Sequence, residues 1–216
     1  MGGDDADSIS GGAGNDVLAG NAGNDTLLGG DGNDSINTGA GNDLVHGGNG
    51  NDTVVGLAGN DTVFGDAGAD SIQWNDPTGD TVSGGADNDT IIGSDTASDF
   101  SSGDDGNDLI QAFTTNAATA TAGDTLLGGN GNDTLIGGNG TDSISGGAGN
   151  DVLNGNGGND TLLGDDGNDS ITAGAGNDLV HGGNGNDTMV GLAGNDTVYG
   201  DAGNDSIQWN DPTGDT

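Results

Sequence analysis

The sequence contains no lysine, arginine, cysteine or glutamate, and its 216 residues include only two prolines, two tryptophans, three phenylalanines and one tyrosine. Without Lys or Arg, phosphate contacts cannot be made, so nucleic acid is excluded as a partner. An anionic membrane surface is excluded on the same ground. Without Cys there is no disulfide framework, no thiolate zinc site and no thiol nucleophile. No apolar run approaches the roughly 18 residues of a membrane span. Nothing after Met1 resembles a signal peptide, and Met1-Gly2-Gly3 looks like an added start.

What is present is acid and glycine: 36 Asp and 50 Gly, for a net charge of -36. No internal salt bridge is expected, and such a chain repels itself in any compact form. Positive charge must then come from outside. Small carboxylates set between glycines, where the backbone can approach closely, favour a hard cation with oxygen ligands over a basic protein partner. Calcium is the leading candidate.

Two periods run through the chain. The short one is nine: from Gly11 the sequence reads GGAGNDVLA, GNAGNDTLL, GGDGNDSIN, TGAGNDLVH, GGNGNDTVV, GLAGNDTVF, GDAGADSIQ, with Asp at position six and an aliphatic at position eight of each. The long one is 135: residues 11–81 return as 146–216 with eight changes, among them Val54 to Met189 and Phe64 to Tyr199. The array is expected to be a piece of a longer tandem protein. Its division is 2–73 regular repeats, 74–127 irregular repeats with longer loops, 128–208 regular repeats, and 209–216 the truncated start of the next irregular segment.

Within each nonapeptide the six glycine-rich residues suit a tight turn and the last three a short strand. One unit is too short to bury anything, so the units are expected to stack as a parallel solenoid with the aliphatic position inward. Leu18, Leu27, Ile36, Val45, Val54, Val63 and Ile72 would be core, followed by Leu135, Ile144, Leu153, Leu162, Ile171, Val180, Met189, Val198 and Ile207. Two aliphatics per two-unit coil are too little burial to offset the ordering of the backbone, so metal coordination must be part of folding.

The consensus GGxGxDxUx, with U aliphatic, resembles the RTX (repeats-in-toxin) family of haemolysin-type calcium-binding repeats. The resemblance implies an all-β fold, a right-handed parallel β-roll solenoid with two nonapeptides per coil and calcium ions held between successive glycine-rich loops. The position-six Asp would give carboxylate oxygen and the loop carbonyls most of the rest. Carried over by position, the metal ligands are Asp7, Asp16, Asp25, Asp34, Asp43, Asp52, Asp61, Asp70, Asp80, Asp89, Asp108, Asp133, Asp142, Asp151, Asp160, Asp169, Asp178, Asp187, Asp196 and Asp205. Asp from adjacent coils, such as Asp16 and Asp34, would share an ion. An EF-hand competes poorly, because its loop ends in Glu.

The pattern departs around 74–127, where Trp74 looks like an extra residue, GSDTASDFSS has one residue too many and a Thr/Ala stretch precedes Gly123-Asp124. Counting Ala112 to Leu127 as one enlarged unit gives 14 units per long period, an even number that puts Phe64 and Tyr199 on the same side. His46 and His181 recur at the outward ninth position and are expected at the surface. Leu28, His46 and Phe64 would share one outer strip. Trp74 and Trp209 either mark a contact or fill a gap in their own loop. Ser residues lack the context of a nucleophile, and no catalytic residue is expected.

The functional expectation is a calcium-binding structural module of a secreted bacterial protein, a rigid extender in an adhesin, filament or matrix, not an enzyme. The alternatives are a secretion-and-folding module for a toxin or enzyme domain outside the chain, and an ice-binding array built on the fifth-position row Asn15, Asn24, Asn33, Asn42, Asn51 and Asn60. Calcium is the expected partner, and the uncapped ends suggest end-to-end or lateral self-association.

Overall fold

In a computed structural model of the chain, residues 1–56, 58–94, 96–113, 121–191 and 193–210 are described. They form two parallel sheets and no helix, so no helix among them is long and apolar enough to cross a membrane. Sheet one stacks, in chain order, β1 (Ser8–Ala13), β3 (Thr26–Asp31), β5 (Leu44–Asn49), β7 (Thr62–Ala67), β9 (Thr81–Ala86), β11 (Phe100–Asp105), β13 (Thr125–Asn130), β15 (Ser143–Ala148), β17 (Thr161–Asp166), β19 (Leu179–Asn184) and β21 (Thr197–Ala202). Sheet two stacks β2 (Val17–Ala22), β4 (Ser35–Ala40), β6 (Thr53–Gly56), β8 (Ser71–Trp74), β10 (Thr90–Ile92), β12 (Leu109–Gln111), β14 (Thr134–Ile136), β16 (Val152–Asn154), β18 (Ser170–Thr172), β20 (Thr188–Gly191) and β22 (Ser206–Trp209). The chain alternates between the sheets, so each coil holds one strand of each and the whole is a parallel β-solenoid of eleven coils.

The strands form where the position-eight aliphatic can turn inward, because a period of two sends its polar neighbours out. Leu27, Val45, Ile91, Leu135, Ile144, Leu153 and Leu162 are each 0% exposed, and the core is one unbroken column from Leu18 to Val198. The expected core residues all lie in it except Ile207, on the last strand, which is 37% exposed. β11 departs in kind: Ser101 stands at the core position, in register between Val82 and Leu126.

Register pairs residues 18 apart in the regular coils, as in Ile9 with Leu27 and Val45 with Val63. The turns are closely stacked: Gly131 has a φ of +146°, and a Cβ on it would fall 1.4 Å from the Gly106 carbonyl oxygen. Only glycine fits there.

Phe64 on β7 and Tyr199 on β21 lie in the same sheet, fourteen strands apart along the chain and seven within the sheet, as an even unit count requires. Leu28, His46 and Phe64 are register neighbours and form the expected outer strip. His46 stacks on Phe64 with ring centroids 4.8 Å apart, and His181 on Tyr199 at 4.7 Å. Each imidazole also meets a carboxylate, His46 Nδ1 to Asp66 Oδ2 at 3.0 Å and His181 Nδ1 to Asp201 Oδ2 at 2.8 Å. The expectation of no internal salt bridge is corrected here, because at both places a histidine nitrogen lies within ion-pair distance of a carboxylate. Both side chains are partly exposed, as a surface role requires.

Candidate metal centres

The position-six aspartates stand at the two edges where the chain passes between sheets. Those leading into sheet two are Asp16, Asp34, Asp52, Asp70, Asp89, Asp108, Asp133, Asp151, Asp169, Asp187 and Asp205. Those leading into sheet one are Asp7, Asp25, Asp43, Asp61, Asp80, Asp99, Asp124, Asp142, Asp160, Asp178 and Asp196. Along both edges each Asp N–H donates to Oδ1 of the Asp one coil on. The Asp16 N–H reaches Asp34 Oδ1 at 2.7 Å, the Asp34 N–H reaches Asp52 at 2.7 Å, and on the other edge the Asp25 N–H reaches Asp43 at 2.8 Å. Even where the coil lengthens the ladder holds, from Asp99 to Asp124 and from Asp108 to Asp133 at 2.8 Å.

A second ladder runs the other way. The fifth-position Asn N–H donates to the Asn Oδ1 one coil back, as in Asn33 to Asn15 at 3.0 Å and Asn150 to Asn132 at 2.7 Å. Successive turns are thus clasped in both directions, and the repeating Asn row has its carbonyls engaged within the stack.

Every expected ligand therefore stands in one of the two rows, and the rows bring in two residues the sequence reading left out, Asp99 and Asp124. Asp124-Thr125-Leu126 keeps the Asp-x-aliphatic signal, and that could have found it. Asp99 is followed by Phe100 and Ser101, and nothing local marks it.

The two edges differ. Into sheet two the spacing between ladder aspartates is always nine residues; into sheet one it stretches to ten from Asp70 to Asp80, ten from Asp89 to Asp99 and sixteen from Asp108 to Asp124. All the added length thus falls between an aspartate leading into sheet two and the next one leading into sheet one, whose edge is called here the variable edge. On the regular edge, Oδ2 of every Asp from Asp16 to Asp187 is buried without a hydrogen-bond partner. On the variable edge the same holds for Asp25, Asp43, Asp160 and Asp178, while others have protein donors on Oδ2: Gly3 N–H on Asp7 at 2.6 Å, Thr38 Oγ1 on Asp61 at 3.4 Å and Gly138 N–H on Asp142 at 2.9 Å. Trp74, which ends β8 and is buried in the core, reaches Asp99 from the neighbouring coil. It fills a gap within the stack.

A buried anionic oxygen with no donor is costly, and with no basic residue in the ladders it must be met by a proton or an external cation. Burial pushes the carboxyls up, with neighbouring rungs adding to the push: Asp70 to about 7, Asp169 to about 7, and Asp80 and Asp124 to about 8, each opposed by the backbone N–H it accepts. Beside most of the orphaned oxygens the position-one glycine leaves a cradle, while Thr38 and Ala173 hold that position ahead of Asp43 and Asp178. A Cβ on Gly29 would sit 2.4 Å from Asp34 Oδ2 and 2.3 Å from the Gly47 carbonyl oxygen, and one on Gly65 would sit 2.4 Å from both Asp70 Oδ2 and the Gly84 carbonyl. Carboxylate and carbonyl oxygens converging on a space without a side chain are the donor set of a hard cation such as calcium. Among the described residues no three carboxylate or imidazole side chains gather at one point, so carbonyls must supply much of that set.

The chain matches the profile of the RTX calcium-binding nonapeptide repeat over residues 1–36, 20–54, 37–72, 74–110, 120–153, 154–189 and 181–208. It belongs to the RTX calcium-binding repeat family. These RTX repeats make the chain a calcium-binding β-solenoid module. No curated protein matches it. Among solved structures, it is similar at 18% identity and a TM-score of 0.35 to a hyperactive, Ca2+-dependent, β-helical antifreeze protein from an Antarctic bacterium, over 96% of this chain and 80% of that one.

Proposed function

We propose that this RTX array is a calcium-rigidified spacer of a secreted bacterial protein, an extender within an adhesin, filament or matrix. The observation that carries the reading is the unbroken column of buried, partnerless carboxylate oxygens from Asp16 to Asp187, in a chain with no Lys or Arg. In this reading Asp16, Asp34, Asp52, Asp70, Asp89, Asp108, Asp133, Asp151, Asp169 and Asp187 hold calcium with the turn carbonyls, and Asp25, Asp43, Asp160 and Asp178 do so on the other edge. The bound ions supply the charge that lets the rungs approach, and the chain's own Asp and Asn ladders set the spacing of the turns.

Tandem copies support the spacer role, since duplication lengthens a rod without adding a new kind of site. Eleven coils at about 4.8 Å each give on the order of 50 Å. Weak extracellular calcium modules work near millimolar calcium, so the rod would stay unfolded inside a cell and set outside it. Far-ultraviolet circular dichroism of the chelated chain during a calcium titration tests this. A coil spectrum converting to β with calcium and not with magnesium is expected, and a chelated chain that is already fully folded refutes it.

A further inference from the structure

Asp99 differs from the orphaned rungs. Its Oδ1 accepts the Asp80 N–H at 2.9 Å, as a rung should, but its Oδ2 accepts the Trp74 indole N–H at 3.2 Å, the Ser94 hydroxyl at 3.2 Å and the Ser94 backbone N–H at 3.4 Å. The residue is 5% exposed, so these donors take the place of water. An oxygen has two lone pairs, and three donors already exhaust them.

The surroundings of the turn glycine differ as well, with an indole carbon and no carbonyl oxygen among the atoms nearest to it. A Cβ built on Gly93 would lie 3.3 Å from Trp74 Cζ2 and 3.4 Å from Asp99 Oδ2. In the same coil, on the regular edge, a Cβ on Gly103 would lie 2.2 Å from Asp108 Oδ2 and 2.7 Å from the Gly128 carbonyl oxygen, and Asp108 Oδ2 has no partner. One edge of this coil thus keeps an open oxygen cradle while the other holds an indole.

Resting on the calcium reading above, we propose that Asp99 is a metal-free rung: Trp74 and Ser94 stand in for the ion there, and the calcium row along the variable edge is broken at this coil. The exchange falls in a coil already irregular in its core, because Ser101 stands where most other coils hold an aliphatic. It also explains why a Trp buried in the column needs a carboxylate, since a buried indole N–H must find an acceptor.

The test is to count bound calcium by native mass spectrometry on the full chain and on its Asp99→Asn and Asp108→Asn variants. Asp99→Asn keeps an acceptor for the indole and is expected to bind as many ions as the unaltered chain, while Asp108→Asn loses at least one. Equal losses in the two variants overturn the proposal and leave the calcium reading standing; no loss in either overturns both. Should Asp99→Asn fail to fold, terbium-exchanged crystals of the unaltered chain decide instead. Anomalous peaks are expected along the Asp108 edge with none on the Asp99 carboxylate, and a peak there overturns the proposal.

Discussion

Each ladder aspartate carries two oxygens with separate tasks: Oδ1 receives a backbone N–H and fixes the spacing of the turns, while Oδ2, where orphaned, is left to a cation. Two predictions belong at this scale. The carboxyls are pushed up by burial, to about 6 at Asp108, about 7 at Asp70 and about 8 at Asp80. Protons therefore favour the folded chain. Their contribution is complete below the unfolded value near 3.8 and is lost as pH rises through about 6 to 8. Without calcium the chain should accordingly gain β structure as pH falls from 8 toward 4, followed by circular dichroism in chelator; equal disorder at both ends of that range would count against it. The second prediction concerns space. Gly146→Ala places a methyl 2.4 Å from Asp151 Oδ2 and 2.8 Å from the Gly164 carbonyl oxygen. It should cost about 1–3 kcal/mol and raise the calcium concentration at the folding midpoint, measured by denaturant titration at fixed calcium.

At the scale of the strand, most elements contribute a single inward aliphatic side chain, so the column has little redundancy. Leu135→Ala, at a fully buried position, should cost about 2–5 kcal/mol at saturating calcium. In a stack where each coil touches only its neighbours, that loss should appear as a lowered or split thermal transition. The strands were the most legible part of the sequence, because an inward aliphatic every nine residues is a local signal; Leu18, Ile36, Val54 and their successors lie in the core as the pattern requires. Asp99 was not legible. Its rung is assigned by partners 19 and 25 residues away, Asp80, Asp124 and Trp74, and the enlarged turns between them erase the nine-residue rhythm. Trp74 looked like an inserted residue because its acceptor lies in another coil. The His–Asp contacts were hidden for the same reason, since Asp66 is 20 residues from His46 and meets it only through stacking.

For the whole molecule, the balance is between a net charge of -36 and the ions that offset it. Chelation should release the rod to an expanded coil with a radius of gyration of about 50 Å, against roughly 17 Å for a compact chain of this length. Small-angle X-ray scattering with and without calcium measures this directly; a radius that stays near the compact value in chelator would contradict a metal-driven fold. High salt should shrink the expanded coil through screening without restoring the β spectrum, because screening lowers repulsion but supplies no ligand sphere.

The one-sided placement of extra length has a use of its own. Where ten or sixteen residues replace nine, the added length precedes an aspartate leading into sheet one, and the opposite edge keeps its spacing. A peptide grafted into the turn between β16 and β17 should therefore be displayed on that flank with the opposite flank still in step. Grafts in successive coils would line up like teeth on a comb, at intervals of about 4.8 Å.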